Sequence, residues 1–292
     1  MWDKRARFER KLFKFKIVIT LIAVVSAMAS LGAVAARMSP GVNDAERIKL
    51  PVFVYHAIIS DPEKSGDDVI TTESFRHDMA YLRDSGYHTV VMADIIAYVK
   101  YGTPLPEQPV MVTIDGGYYN NYLYAYPILR AYDLRAVFSV VGAETDKYTV
   151  KPDTNENYAR CTWDQLREMQ KSGVIELQNY TYDLQYFKKN YIGTGHYVGE
   201  KLVAYRTWLY TDVTKMQNRF RDELGIVPNT FTYPSGAVPQ DSASVIRNLG
   251  FLATLGSDSS TFYVTRDEKC LNNIPRYNRT CLLPVQSILD SA

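Results

Sequence analysis

The stretch VTIDGGYYNNY, from Val112 to Tyr122, shows how this sequence is organised. The apolar run PVMVTI, which begins at Pro109, ends at a single carboxylate, Asp115, and two glycines follow it. A buried strand that delivers an acid to its carboxyl end is a frequent way of building an active site. The next position is Gly116, however, which has no side chain to contribute to such a site.

Strand-like and helix-like segments alternate on both sides of this stretch. PVFVYHAI (51–58) is apolar and rich in β-branched and aromatic residues, whereas TTESFRHDMAYLRDSGY (71–87) places Phe75, Met79 and Leu82 on one helical face. Repeated units of this kind with near-continuous apolar strands predict an α/β fold with a parallel sheet covered by helices. About seven such units favour a closed (β/α) barrel over an open sheet.

In a barrel of this kind the chemistry lies where the strands end and the following loops begin. Four places meet that condition. They are His56, Asp115 with Gly116, the segment QNYTYDLQ (178–185) and the segment YPSG (233–236).

The N-terminal residues differ from the rest of the chain. Residues 1–16 carry seven Lys and Arg against two acids, and residues 17–36 form an uncharged apolar run long enough to cross a bilayer. The basic flank predicts that the N-terminus stays in the cytoplasm. We interpret 1–16 as a cytoplasmic segment, 17–36 as a transmembrane signal anchor, 37–49 as a linker and 50–292 as the barrel. A cleaved signal peptide ending near Ala33-Val34-Ala35 is the alternative, and both put the barrel outside the cytoplasm.

Charge and cysteine content limit the possible partners. The whole chain has a formal net charge of +1, and the exported part is slightly acidic, which disfavours nucleic-acid binding. Cys161, Cys270 and Cys281 show no CxxC spacing typical of a metal site. A disulfide between Cys270 and Cys281 and three free thiols both remain open.

The segments VTIDGGYYNNY, ELQNYTYDLQ, FTYPSGA and IPRYNR, in this order and spacing, resemble the polysaccharide deacetylase family, the NodB-homology domain of carbohydrate esterase family 4. The resemblance extends from about residue 50 to residue 280. It implies a distorted (β/α) barrel that removes N-acetyl groups from amino-sugar polymers such as cell-wall glycans. It also implies a divalent metal, usually zinc, held by one Asp and two His.

At all three metal-ligand positions this sequence departs from the family pattern. The family's base position is kept as Asp115, but the ligand positions hold Gly116, Tyr180 and Gln185. Zinc needs imidazole, thiolate or carboxylate ligands, so we expect no metal cofactor here. The family's catalytic acid is usually a histidine near the C-terminus, and no histidine follows His196. His56, at the end of a strand, is a candidate for a replacement ligand beside Asp115, and His196 is a weaker one, although a single histidine such as His56 is more often packed or hydrogen-bonded.

The resemblance also assigns roles to other residues. Arg276 is expected to pair with Asp115, and a main-chain N–H at Tyr233 in the turn that ends at Gly236 is expected to hold a substrate oxygen. Tyr180 and Tyr118 are candidates for ligand contact, whereas Tyr122 and Tyr126, four residues apart on a helix, are expected to pack.

Three functions are consistent with this pattern. The favoured interpretation is a catalytically inactive family member that acts by binding N-acetylated cell-wall glycan or a protein at the cell envelope. The alternatives are an active glycan N-deacetylase or esterase with a rebuilt or metal-free site that uses Asp115, and a structural role in an envelope assembly.

Overall fold

The computed structural model describes residues 47–184, 194–195, 199–236 and 238–291. The proposed membrane segment therefore lies outside the described residues, as do Gln185 and His196. The strands are β1 (Ile48–Lys49), β2 (Val52–Tyr55), β3 (Ala57–Ile59), β4 (Val69–Thr71), β5 (His88–Thr89), β6 (Pro109–Asp115), β7 (Ala136–Val140), β8 (Ile175–Asn179), β9 (Thr230–Thr232), β10 (Ala253–Leu255), β11 (Tyr263–Val264) and β12 (Tyr277–Asn278). The α-helices are α1 (Thr72–Asp84), α2 (Met92–Tyr101), α3 (Tyr126–Ala131), α4 (Gly142–Val150), α5 (Trp163–Lys171), α6 (Leu202–Leu224), α7 (Ser242–Asn248) and α8 (Val285–Ser291).

The main sheet is parallel and curled, with strand order β10-β9-β8-β7-β6-β2-β12, and β5 pairs with the first residues of β6. Strand β6 lies inside the sheet, and all seven of its residues are buried. This agrees with its continuous apolar sequence, since such runs are typical of parallel strands covered on both faces. The expected parallel α/β architecture is confirmed.

The expected closure of the barrel is wrong for the described residues. Strands β10 and β12 are the two edges of the sheet, and only an isolated bridge between Leu255 and Ile274 extends beyond β10. The late strands are short, with three residues in β10 and two in β12, so they offer few hydrogen bonds with which to complete a ring.

The linker boundary also differs from the prediction. Residues Ile48 and Lys49, assigned to the linker, form β1 and pair antiparallel with β11. The folded part of the protein therefore includes Ile48 and Lys49, although the polar sequence before them suggested a linker.

Side chains that alternate along β6 separate two apolar clusters. Val112 and Ile114 face the outer cluster, to which α1 contributes its predicted face of Phe75, Met79 and Leu82. Met111 faces an inner cluster together with Val52 and Val137 on neighbouring strands and with Ile95 of α2. Nearer the carboxyl end the inner face becomes polar, since the hydroxyls of Ser139 and Thr232 lie 2.8 Å apart. A buried polar layer thus leads up to the edge where the predicted site lies.

Candidate functional site

The carboxyl edge of the sheet brings together residues that are far apart in the sequence. Asp115 is the last residue of β6, Tyr180 follows β8, Ser235 follows β9 and Arg276 precedes β12. Parallel strands end at a common edge, which is why Asp115, Tyr180 and Ser235 meet there. Arg276 instead precedes its strand, and its long side chain reaches Asp115, 161 positions away in the sequence.

Asp115 and Arg276 form a buried bidentate ion pair. Both side chains are 2% exposed, and the two guanidinium nitrogens Nη1 and Nη2 each donate to one carboxylate oxygen at 2.9 Å. Arg276 also donates from Nε to the carbonyl of Gly256 at 2.6 Å and from Nη1 to the hydroxyl of Thr113 at 3.1 Å. The expected partnership of Arg276 with Asp115 is confirmed as a contact, and it occupies both oxygens of the carboxylate.

Tyr180 is a buried, neutral phenol beside this pair. Burial raises the pKa of its hydroxyl well above the ordinary value, the charge of Asp115 adds to the rise, and Arg276 and a hydrogen bond from the main-chain N–H of Ser235 oppose it. A phenol must lose its proton to become a good metal ligand. Tyr180 is therefore a poorer ligand here than a tyrosine in water.

Gly116 can contribute only its main-chain N–H and carbonyl groups to the site. Its φ is 98° and its N–H donates to the carbonyl of Ser139 at 2.9 Å. Gly117 follows with a φ of 71°, and a Cβ there would lie 3.3 Å from Cγ1 of Val140. Two successive positive φ angles turn the chain sharply out of β6, a conformation that favours glycine.

The loop after β8 is held in a strained conformation by a helix. Thr181 has a φ of 93°, which is a genuine outlier for a β-branched residue. The carboxylate of Asp212 on α6 accepts the main-chain N–H groups of Tyr182 (2.8 Å) and Asp183 (2.9 Å), and Oδ1 of Asn179 accepts that of Thr181 (2.8 Å). The sequence did not indicate Asp212, because it lies about 30 residues away within a polar helix face.

The donor expected at Tyr233 is wrong. Its main-chain N–H donates to the carbonyl of Leu255 at 3.0 Å, and its hydroxyl accepts a hydrogen bond from Ser242 at 3.1 Å. The N–H that faces the site belongs instead to Ser235, whose φ is 56°. Strand pairing of β9 with β10 extends one residue past β9 and uses the Tyr233 donor, which the motif alone does not show.

Gly236 packs closely against Ser257, and the substrate-binding role expected for it stays a prediction. Its φ is 63°, and a Cβ would lie 1.5 Å from Oγ and 2.4 Å from Cβ of Ser257. A side chain at this position would displace the segment that follows β10.

The residues at this edge do not fit a metal ion. In the part of the chain that the structure describes, no three His, Cys, Asp or Glu side chains lie close enough to hold one. His56 faces a different carboxylate, since its Nδ1 lies 3.6 Å from Oδ1 of Asp68. The three cysteines are free thiols, so Cys270 and Cys281 are not paired.

Three tyrosines near the edge are engaged within the protein. The ring of Tyr118 is covered by the guanidinium of Arg160, 3.4 Å from the ring centroid. Tyr126 is buried and Tyr122 packs against the outer cluster, which confirms packing for that pair.

Comparison with known proteins agrees with this fold. A model of the polysaccharide deacetylase family matches residues 102–254, more than half of the chain. The chain belongs to the polysaccharide deacetylase family.

Several members of this family share the same region. A poly-β-1,6-N-acetyl-D-glucosamine N-deacetylase from Escherichia coli strain K12 is 30% identical over 202 residues, a match that covers 62% of this chain and 30% of the relative. The chain thus spans less than a third of the length of that relative. An enzyme of the same name from Staphylococcus aureus strain N315 is 22% identical over 198 residues, covering 68% of this chain and 63% of the relative.

Solved structures of polysaccharide deacetylases show the same fold. A de-N-acetylase from Aggregatibacter actinomycetemcomitans superposes with a TM-score of 0.72 at 21% identity, covering 84% of this chain and all of that one. IcaB from Ammonifex degensii gives a TM-score of 0.66 at 23% identity, covering 83% and 95% of the two chains.

Proposed function

We propose that this member of the polysaccharide deacetylase family has lost the hydrolytic reaction and acts by binding N-acetylated cell-wall glycan. The proposal rests on the residues found at two of the family's ligand positions. Gly116 has no side chain, and Tyr180 is a buried neutral phenol. The third position, Gln185, offers at most a neutral amide oxygen.

Loss of the metal removes the main source of rate acceleration for amide hydrolysis. A bound divalent ion lowers the pKa of water by many units and polarises the carbonyl that is attacked. General-base help alone is worth about 10²–10⁴-fold. Asp115 could supply no more than this, although each of its oxygens keeps a lone pair beside the hydrogen bond from Arg276.

The strained main chain at the edge supports continued ligand binding. Thr181 and Ser235 both have positive φ, and such conformations cost about 1–3 kcal/mol each unless the surroundings enforce them. Here Asp212 and Asn179 enforce the first of them. The edge holds the neutral phenol of Tyr180 and an ion pair with no net charge, which suit a neutral amino sugar better than a charged ligand.

We also propose that residues 17–36 anchor the protein so that the barrel lies at the outer side of the cell membrane. The named activity of the Escherichia coli and Staphylococcus aureus relatives concerns poly-β-1,6-N-acetyl-D-glucosamine, which supports an N-acetylated glycan as the partner. Among the residues that the structure describes, no helix is long and apolar enough to cross a bilayer.

Acetate release and glycan binding, measured on the same purified protein, test the proposal. With N-acetylglucosamine oligomers and added zinc we expect no acetate above a no-protein control, and saturable binding by calorimetry. Turnover that EDTA abolishes would refute the loss of hydrolysis. An EDTA-insensitive activity that disappears in Asp115→Asn would support a metal-free hydrolase instead.

A further inference from the structure

The loop that follows β8 presents Tyr180 at the carboxyl edge. This segment, residues 180–184, is called the β8 loop here. In the family pattern a shared metal ion ties the ligand positions 180 and 185 to position 116 after β6. Because the described residues at this edge do not fit a metal ion, the β8 loop needs other contacts to hold it in place.

Two helices hold the main chain of the β8 loop. The carboxylate of Asp212 on α6 accepts the N–H groups of Tyr182 and Asp183, at 2.8 Å and 2.9 Å. The first two N–H groups of α4, which have no partner inside their own helix, donate to the carbonyls of Thr181 (3.2 Å) and Tyr182 (2.8 Å). The main chain of Tyr182 is therefore bound by α6 at its N–H and by α4 at its carbonyl.

The side chain of Tyr182 is held by the same two helices. Its hydroxyl donates to Oδ2 of Asp146 on α4 at 3.0 Å, and the ammonium of Lys215 on α6 lies 3.7 Å from the centroid of its ring. Arg219 of α6 donates to Oδ1 of Asp146 from Nε (2.9 Å) and from Nη2 (2.7 Å), which joins the two helices to each other. The loop, α4 and α6 thus form one connected network.

The space for the Tyr182 ring depends on a glycine. A Cβ on Gly142, the first residue of α4, would lie 2.6 Å from Cδ2 of Tyr182 and 2.6 Å from Sδ of Met216. The φ of Gly142 is not positive, so close packing and not backbone conformation favours glycine here. The network keeps Thr181, next to Tyr182, at its φ of 93°, a conformation that an isolated loop would leave.

We propose that Asp212 and Asp146 are positioning residues that order the β8 loop before any ligand binds, the task that the metal ion has in the family pattern. This inference rests on the proposed function, since glycan is the ligand that the ordered loop receives. A loop that is already ordered loses little conformational entropy on binding, which favours affinity. The two carboxylates act from helices behind the loop and keep Tyr180 at the edge without an ion.

Hydrogen exchange of the ligand-free, EDTA-treated full-length protein, followed by mass spectrometry, tests this proposal. In the wild type we expect the amides of residues 181–184 to be protected, and to change little on saturation with an N-acetylglucosamine oligomer. In Asp212→Ala they should exchange about tenfold faster or more, because two hydrogen bonds to a charged group are lost. Asp212→Asn keeps one acceptor oxygen and should lie between the two.

Variants on the other side of the loop give an independent test. Gly142→Ala should displace the Tyr182 ring and raise exchange in the same loop without altering Asp212. Its control is Gly66→Ala, where a Cβ meets nothing within 4 Å and the φ is likewise not positive. Asp222→Asn, at an exposed acid on α6, is the control for Asp212→Asn. Both controls should exchange as the wild type does.

Glycan affinity is the second readout. In Asp212→Ala the Kd for the oligomer should rise about tenfold, and saturating glycan should restore part of the lost protection, while the amides of β6 stay protected. Rapid exchange of the loop in the ligand-free wild type, no effect of Asp212→Ala and Gly142→Ala, or a loosened loop with unchanged affinity would overturn the proposal. If the wild type binds no glycan, the proposed function fails, and exchange of the ligand-free variants still decides whether the two carboxylates hold the loop.

Discussion

Asp115, at the position that the family resemblance assigns to the base, forms a buried ion pair with Arg276. Their contact was predictable from the motifs, because both residues follow recognisable segments of the family pattern. The hydrogen-bond acceptor of the Tyr233 N–H could not be predicted, because it depends on how far β9 pairs with β10. A sequence motif therefore predicts side-chain contacts more reliably than main-chain hydrogen bonds, because the latter depend on neighbouring strands.

Breaking the buried pair from one side should be costly. We expect Arg276→Met to lower the free energy of unfolding by about 3–5 kcal/mol, because it leaves the buried Asp115 carboxylate without its partner. Urea denaturation measures this change. The exposed pair of Arg76 and Glu73, 3.6 Å apart, provides the control, and Arg76→Met should cost less than about 1 kcal/mol. Similar small losses in both variants would show that the Asp115 pair is not structural.

Gly236 offers a second test at the residue scale. Gly236→Ala combines a positive φ with a clash against Ser257, so we expect it to destabilise the protein by about 2–4 kcal/mol in the same assay. Gly173→Ala is the control, since its φ is 75° and a Cβ there meets nothing within 4 Å. It should cost only the backbone strain, about 1–2 kcal/mol. If the two variants lose equal stability, the close approach to Ser257 is unimportant.

At the scale of elements, α2 depends on a carboxylate from a distant strand. Glu176 of β8 accepts the main-chain N–H groups of Met92 (2.6 Å) and Ala93 (3.1 Å) at the start of this helix. Asp94, the third residue of the helix, accepts the N–H of Val91 at 2.9 Å. The contribution of Glu176 could not be predicted, because it comes from 83 residues away and depends on the curl of the sheet.

Glu176 should make stability depend on pH. Burial is the main cause that raises its pKa from 4.5 to about 7, and hydrogen bonds from Met92 and Ala93 limit the rise. The folded state therefore holds a proton that the unfolded state has lost between these values, so stability falls as pH rises through this window. Unfolding free energies of wild type and Glu176→Gln should converge near pH 4.5. By pH 8 the wild type should have lost up to about 3 kcal/mol relative to the variant. A difference that is independent of pH would contradict a raised pKa at Glu176.

At the scale of the whole molecule, apolar patterning was sufficient to predict a parallel sheet covered by helices. It could not show whether the sheet closes, because closure depends on strands of two or three residues that carry little periodic signal. The same limit applied to β1, whose two residues follow a polar segment. The order of the strands nevertheless placed Asp115, Gly116 and Tyr180, from two of the motif segments, at one edge of the sheet.

Restoring the family's ligands tests whether the scaffold still supports a metal site. The triple variant Gly116→Asp/Tyr180→His/Gln185→His should gain zinc binding measurable by calorimetry. The gain should be partial, because an aspartate at a φ of 98° is strained by about 1–2 kcal/mol. The double variant Tyr180→His/Gln185→His, which avoids that strain, is the control. If neither variant binds zinc, the scaffold has diverged beyond the three ligand positions.

The central claim is that the wild-type edge cannot hold a metal ion, and zinc titration of the full-length, metal-stripped protein tests it most directly. We predict no saturable binding at micromolar zinc. One equivalent of zinc bound by the wild type and lost in Asp115→Asn would contradict the account.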